Sequence, residues 1–475
     1  MATAATEPAP RESTLPPGAP GRAGRLAAVE RRLFAPVDIA SLVAFRVCFG
    51  TVIVWEVYRY ITNGWVGAYW AAPEFNFSYR GFWWLEPVPA AGMWALFGVL
   101  GVLGAGIALG AFYRLCAVGF TVGFTYMFLL EPARYLNHFY LFCLLGGLLA
   151  VVPAHRRWSV DAELLGGRRS DSAPTWALWL LRAQVAIVYV YGGLAKLNGD
   201  WLRGEPMRAW LAARPDFPLF GRWFGEEWIV YAASYGGLLF DLLIVPAALW
   251  RRTRVAALLG AACFHLMNNE LFTIGVFPML AMAALLLFCE PSWPRDLAHR
   301  LGLGHRPVAA DDAAQQLSRA RTRVGVGLLA AFLAVQLLVP LRHHLYDGPS
   351  NWTEAGHWFA WHMKLRNKSG DATFVVRDPD TARVWTVDPA TILTPWQDEK
   401  MSIRPELIRQ FAVELARRYR DAGHEDVQVF AHAYAALNGR DPQLLVDPTI
   451  DLVTQPPRIG PHPWVIPLET PAEVS

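Results

Sequence analysis

Nine apolar runs, at about 39–61, 91–112, 115–130, 137–152, 175–194, 228–250, 255–267, 271–288 and 324–340, fill most of the first 340 positions of this 475-residue chain. A helix crossing a bilayer upright needs about 20 such residues. Several runs fall short of that, so their ends and their number are approximate. Hydrophobic residues make up 54% of the chain and charged ones 17%, too apolar for a soluble protein of this length. The fold class that follows is an α-helical polytopic membrane bundle of about nine transmembrane helices.

The flanks have a different character. Residues 1–34 are rich in Ala, Pro, Gly and Arg without an apolar core, and read as a disordered tail. Residues 35–340 form the helical domain. From 341 to 475 charged and polar residues return. Strand-like runs occur at 373–377, 384–387 and 427–431, and a helical spacing of Leu407, Ile408, Phe411, Leu415 and Tyr419 follows Pro405. This tail is expected to be a mixed α/β domain. Arginines concentrate in the N-terminal tail, at Arg114, Arg156, Arg157, Arg168 and Arg169, at 251–254 and at 295–323. By the positive-inside rule these lie in the cytoplasm, which puts the N-terminus inside and the last domain outside.

Polar residues within the apolar runs are the candidates for chemistry, because charge at that depth faces a partner or a site. Four of the 43 Lys and Arg residues are lysines, and Lys196 is the only one before residue 364. It sits in Y-V-Y-G-G-L-A-K-L-N-G-D-W at 189–201. Arginine keeps its proton in a protein, whereas a buried lysine can become a neutral amine base. The residues alone leave a second reading open, in which Lys196 snorkels from a helix end to the membrane surface. Further candidates are Arg46 and Glu56 in the first run, Asn137 and His138 opening the fourth, and His265 with Asn268 three residues on. Arg182 and Asp241 fit a buried ion pair as well as catalytic roles.

Several function classes are excluded. No basic run interleaved with aromatic residues points to nucleic acid. The five cysteines have no C-x-x-C spacing, and neither His265 nor the pair His343 and His344 has further ligands at metal-site spacing, so no metal is expected. There is no phosphate-binding glycine loop, nucleophile elbow or haem-attachment motif.

Nine stretches, in order along nearly the whole chain, carry a resemblance. They are A-S-L-V-A-F-R (40–46), L-N-H-F-Y-L (136–141), W-S-V-D (158–161), the Lys196 segment, G-G-L-L-F-D (236–241), F-H-L-M-N-N-E-L-F-T-I-G-V-F (264–277), F-C-E-P-S-W-P-R (288–295), N-W-T (351–353) and D-P-T-I-D-L-V (447–453). Together they resemble the vitamin K-dependent gamma-glutamyl carboxylase family. The resemblance implies two coupled half-reactions. A reduced vitamin K hydroquinone reacts with O2 and ends as the epoxide, and the strong base formed on the way removes a γ-proton from a glutamate side chain, which then takes up CO2. Lys196 matches the family's catalytic lysine, which starts the sequence by deprotonating the hydroquinone. His138 and His265 match its active-site histidines. Asn137, Tyr189, Arg182, Asn268, Asp241 and Trp201 are the residues expected to bind quinol or substrate.

Neither metal nor biotin is implied. The expected partners are the lipid bilayer, the quinol and a glutamate-containing peptide or protein. The Arg-, Ala- and Gly-rich composition points to a bacterial inner membrane, with menaquinol as the available hydroquinone. Animal carboxylases carry two adjacent lysines where this chain has Ala195 and Lys196, and they extend beyond this C-terminus, so a different mode of substrate recognition is expected. Two alternatives stand beside the carboxylase: a quinol epoxidase that carboxylates nothing, and a non-enzymatic membrane scaffold or transporter.

Overall fold

The computed structural model describes residues 22–272, 274–303 and 319–469. Its first helix, α1 (Arg22–Phe34), corrects the expectation of an unstructured tail for that stretch. After Gly24 the segment is built almost entirely from Arg, Leu, Ala and Glu, all strong helix formers. Residues 1–21 lie outside the described residues. The short strand β1 (Pro36–Asp38) leads to the long helix α2 (Ala40–Thr62). Helices α3 (Ala90–Leu109), α4 (Tyr113–Leu129) and α5 (Asn137–Val151) follow, each packed on the one before. A single turn, α6 (Val160–Glu163), and β2 (Ser172–Pro174), antiparallel to β1, precede α7 (Thr175–Ala195), against which α1 packs.

Two short helices, α8 (Gly199–Leu202) and α9 (Met207–Ala212), lie between α7 and α10 (Glu227–Leu249). Then come α11 (Arg254–Phe272), α12 (Phe277–Leu285), α13 (Trp293–Arg300) and α14 (Arg319–Leu338). The run at 271–288 is therefore not one span. Leu271 and Phe272 end α11, Gly275 turns the chain at φ +66°, where a side chain is disfavoured, and α12 starts afresh.

Among the described residues six helices are long and apolar enough to cross a membrane, and seven if α12 and α13, bent by 93°, count as one broken span. The remaining apolar helices, α4 and α5, have 17 and 15 residues, short of the full thickness. Burial sorts the set. About two thirds of the apolar stretch of α7 is inside the protein (67%), against 11% for α11, so α7 is a central helix and α11 a lipid-facing one. Glycines permit the tightest contacts: a Cβ on Gly50 of α2 would lie 2.5 Å from the Gly104 carbonyl of α3, and one on Gly193 of α7 would lie 2.6 Å from Leu242 of α10.

The C-terminal unit begins with α15 (Ser350–Thr353) and holds the strands β3 (Lys368–Arg377) and β4 (Val384–Val387), the helices α16 (Pro395–Met401) and α17 (Pro405–Asp421), and the strands β5 (Gln428–Leu437) and β6 (Gln443–Leu444). They make an antiparallel sheet in the order β4-β3-β5-β6. β3 and β5 pair along their full length, from Lys368 opposite Leu437 to Arg377 opposite Gln428. The apolar face of α17, led by Leu407, Ile408, Phe411 and Leu415, covers Phe374, Val376, Val429 and Ala431. The architecture is a polytopic helical bundle carrying an α+β domain.

That domain is bound to one end of the bundle by polar contacts. Arg440 grips Asp200 through both guanidinium nitrogens (2.7 and 2.9 Å), and Asn438 adds a third bond at 2.8 Å. Burial opposes the Asp200 anion, but the hydrogen bonds from Arg440 and Asn438 outweigh it and lower its pKa. Glu131, buried after α4, accepts from the Phe77 and Ala133 amides and from the side chains of Asn76 and Gln397. Burial raises its carboxyl to about 7 against those bonds.

Candidate functional site

A cavity of about 810 Å3 opens where the ends of α2, α5, α7, α10 and α11 meet the loop before α12 and the segment entering the C-terminal domain. The size falls within the roughly 300–1,000 Å3 of small-molecule sites. Of the residues singled out from the sequence, Lys196, His138, His265, Asn137, Tyr189, Asn268, Asp241 and Trp201 all line it. Arg182 does not. It is buried in α7 and donates to the carbonyls of Leu287 (2.7 Å) and Cys289 (2.9 Å), holding the turn after α12.

Lys196 caps the C-terminal end of α7. Its side chain turns inward: Nζ donates to Asp241 Oδ2 at 2.6 Å and to the Gly192 carbonyl at 3.0 Å, and both residues are only 5% exposed. The snorkelling geometry is therefore not adopted. Asp241 comes from α10, and the pair forms because α7 presents Gly192 and Gly193 to that helix. A Cβ on Gly192 would stand 3.3 Å from Asp241 Oδ2 and 2.9 Å from Met363. Asp241 thus belongs to a buried ion pair, with Lys196 and not with Arg182 as its partner. The Trp201 ring lies 5.2 Å from Lys196 Nζ and is fixed by its own Nε1 bond to the Ser234 carbonyl.

The two histidines differ in their surroundings. His265 of α11 is buried, with Nε2 2.9 Å from the Tyr189 hydroxyl and Nδ1 buried without a partner among the described residues. His138, in the first turn of α5, packs on Phe139 and faces Phe277, and makes no hydrogen bond to the described residues. Asn137 beside it uses both ends of its amide. It accepts from the Tyr135 hydroxyl at 3.0 Å and donates to the His362 carbonyl at 3.2 Å, tying α5 to the chain that enters the C-terminal domain. Burial lowers His362 to about 3, with His343 and Arg366 adding to the effect, so it stays neutral.

Sequence reasoning missed three cations on the cavity wall: Arg59, Arg134 and Lys364. Arg59 pairs with Glu56 at 2.7 Å, one helical turn away, and that spacing was a usable signal. Arg134 lies three residues before Asn137, in a short turn with nothing to distinguish it from the other arginines. Lys364 rests over the rings of Trp210 and Phe272, brought there by tertiary structure alone.

The chemistry available is that of an apolar, aromatic chamber with a lysine–aspartate pair, a histidine (His138) whose ring nitrogens are unbonded among the described residues, a second (His265) held by Tyr189, and an excess of positive charge. Among the described residues no cluster of His, Cys, Asp and Glu has the arrangement of a metal site. The rings that line the chamber offer surfaces on which an aromatic molecule can stack.

Comparison with known families gives two matches. The model of the HTTM domain matches residues 34–293, and that of the vitamin K-dependent gamma-carboxylase lumenal domain matches residues 321–471. No solved structure matches the chain.

Proposed function

Starting from the chain's membership of the vitamin K-dependent gamma-carboxylase family, which makes it a carboxylase-type membrane protein, we propose that it couples epoxidation of menaquinol by O2 to addition of CO2 at the γ-carbon of a peptide glutamate. The observation that carries this reading is the buried Lys196–Asp241 pair on the wall of an 810 Å3 chamber that also presents His138 and His265. The hydroquinone, when bound, supplies through its oxidation the base strong enough to take a γ-proton. The protein's own groups move protons, place the ring and keep water out.

For Lys196 to act as the initiating base, its proton has to reside on Asp241 when the hydroquinone arrives. The 2.6 Å contact makes that transfer short, and the proton lost from the quinol hydroxyl then goes to the Lys196 amine. His138 offers a ring nitrogen to the second hydroxyl or to the oxyanion, and His265, through the Tyr189 hydroxyl that its Nε2 holds, acts on the same wall. Asn137 and Trp201 hold the wall through their bonds to the His362 and Ser234 carbonyls. Asn268 lies on the same wall. The isoprenoid tail would run among the apolar helices.

In this reading residues 341–475 form the substrate-presenting domain and lie outside the inner membrane, with the N-terminus in the cytoplasm. The arginine-rich opposite loops and the description of the matching family domain as lumenal both support that orientation. The test is O2-dependent epoxide formation by protein in nanodiscs supplied with reduced menaquinone. Lys196→Arg keeps charge but supplies no base. It is expected to be as inactive as Lys196→Ala, and an active Lys196→Arg enzyme would refute the assignment.

A further inference from the structure

Four cations line the chamber, Arg59, Arg134, Lys196 and Lys364, against two carboxylates, Glu56 and Asp241. Both carboxylates are taken: Asp241 by Lys196 and Glu56 by Arg59. Arg134 has no acidic partner within ion-pair distance among the described residues. One of its terminal nitrogens donates to the Tyr60 hydroxyl at 3.1 Å and its guanidinium lies 3.7 Å from the centre of the Tyr69 ring. Its Nε is buried and has no partner among the described residues. A guanidinium keeps its charge and offers five donors, so one held with most of its donors unused calls for an anion.

The surroundings say which anion. Arg134 bonds the Tyr60 hydroxyl and lies on the Tyr69 ring, Arg59 lies over Trp65, which packs on both of those rings, and Arg59 holds Glu56 and stands with His138 around Gly275, so these four groups form one cluster. The charged group acting on Asp241 is Lys196, which belongs to a second cluster on α7 and α10. The chamber therefore has two charged stations. Gly275 keeps the first open: a Cβ there would lie 3.5 Å from an Arg59 terminal nitrogen and 3.8 Å from His138 Nε2. A planar guanidinium fork matches a carboxylate, which it grips through two parallel bonds, and a second guanidinium in the same cluster adds to the attraction. Removing a proton from the carbon next to a carboxylate places a second negative charge on the same fragment, and two fixed cations there stabilise it without reorganising.

We propose that Arg134, with Arg59 beside it, binds the side-chain carboxylate of the glutamate that is modified, at a station separate from the Lys196–Asp241 pair. This rests on the reading of the protein as a glutamate carboxylase. It assigns the missing acidic partner of Arg134 to the substrate.

The experiment uses full-length protein in nanodiscs and two labelled short peptides that differ only in Glu or Gln, with binding followed by microscale thermophoresis. The wild type is expected to prefer the Glu peptide by roughly tenfold to a hundredfold, the worth of a charged hydrogen-bond pair, and Arg134→Gln to lose that preference. Arg134→Lys, which keeps the charge without the fork, is expected to fall between. In turnover with a reduced K vitamin, Arg134→Gln is expected to raise the KM for peptide far more than the KM for quinol. The proposal is overturned if Arg134→Gln still prefers Glu, if both KM values rise together, or if bicarbonate competes with the Glu peptide and so marks a bicarbonate site. A wild type that binds the Glu peptide selectively but makes no product would instead contradict the carboxylase reading and leave the carboxylate station standing.

Discussion

Lys196 Nζ lies 2.6 Å from Asp241 Oδ2 although the two residues are 45 positions apart, on helices that meet closely only because Gly192 and Gly193 carry no side chain. The pair gives the lysine somewhere to leave its proton. Asp241→Asn keeps the shape and removes that acceptor, so epoxide formation is expected to fall by about a hundredfold or more, the usual worth of a positioned acid–base group. Steady-state epoxide assays check this. Near-normal turnover in Asp241→Asn would mean that Lys196 reaches its amine form without help.

Tyr189→Phe removes the hydroxyl that orients His265. The loss is expected to cost about 1 kcal/mol of stability, because a buried ring nitrogen is left unpaired. Thermal unfolding followed with and without quinol checks it, with a smaller shift on ligand binding expected in the variant.

How much of this was legible from the residues follows from what each signal was made of. Lys196, His138 and His265 stood out because a polar side chain in an apolar run has few bland explanations. The partner of Lys196 did not, since a distance of 2.6 Å across 45 residues is a product of packing. Arg134 was hidden by abundance, one arginine among many. In the C-terminal domain the run at 384–387 reappears as β4, and the helix at 405–420 as α17 with one residue added. The run at 427–431 reached only the first four residues of β5, whose remainder, H-A-Y-A-A-L, is rich in alanine, a residue depleted in strands. Pairing with β3 imposes the extended form there, burying Ala433, Ala435 and Leu437.

The contact between the bundle and the C-terminal domain depends on Asp200. Arg440→Ala takes away both of its bidentate bonds, and breaking a largely buried pair of this kind is expected to cost about 3 kcal/mol. Arg203, whose side chain is 66% exposed, also pairs with Asp200, and removing it should change stability by less than about 1 kcal/mol. Hydrogen exchange in β5 and β6 distinguishes the two, with faster exchange expected in Arg440→Ala alone.

Acid should loosen the C-terminal domain. Burial works against the Glu406 anion, yet hydrogen bonds from His462, Arg409 and Gln410 outweigh it and bring its pKa down to about 2. A carboxylate lowered on folding contributes stability that is present above its unfolded value of 4.5 and is lost as pH falls through that value toward 2. By pH 3 the loss is expected to be roughly 2 kcal/mol, and Glu406→Gln should remove that part of the pH dependence. Urea unfolding at pH 7 and pH 3 measures it.

The most direct measurement follows epoxide and fixed carbon in the same vessel: wild-type protein in nanodiscs with reduced menaquinone, O2, labelled bicarbonate and a short glutamate peptide, beside Lys196→Ala. Both products are expected from the wild type, and neither from the variant. Fixed carbon persisting in Lys196→Ala, or epoxide from the wild type with no fixed carbon over a range of glutamate peptides, would contradict the coupling of the two half-reactions through this site.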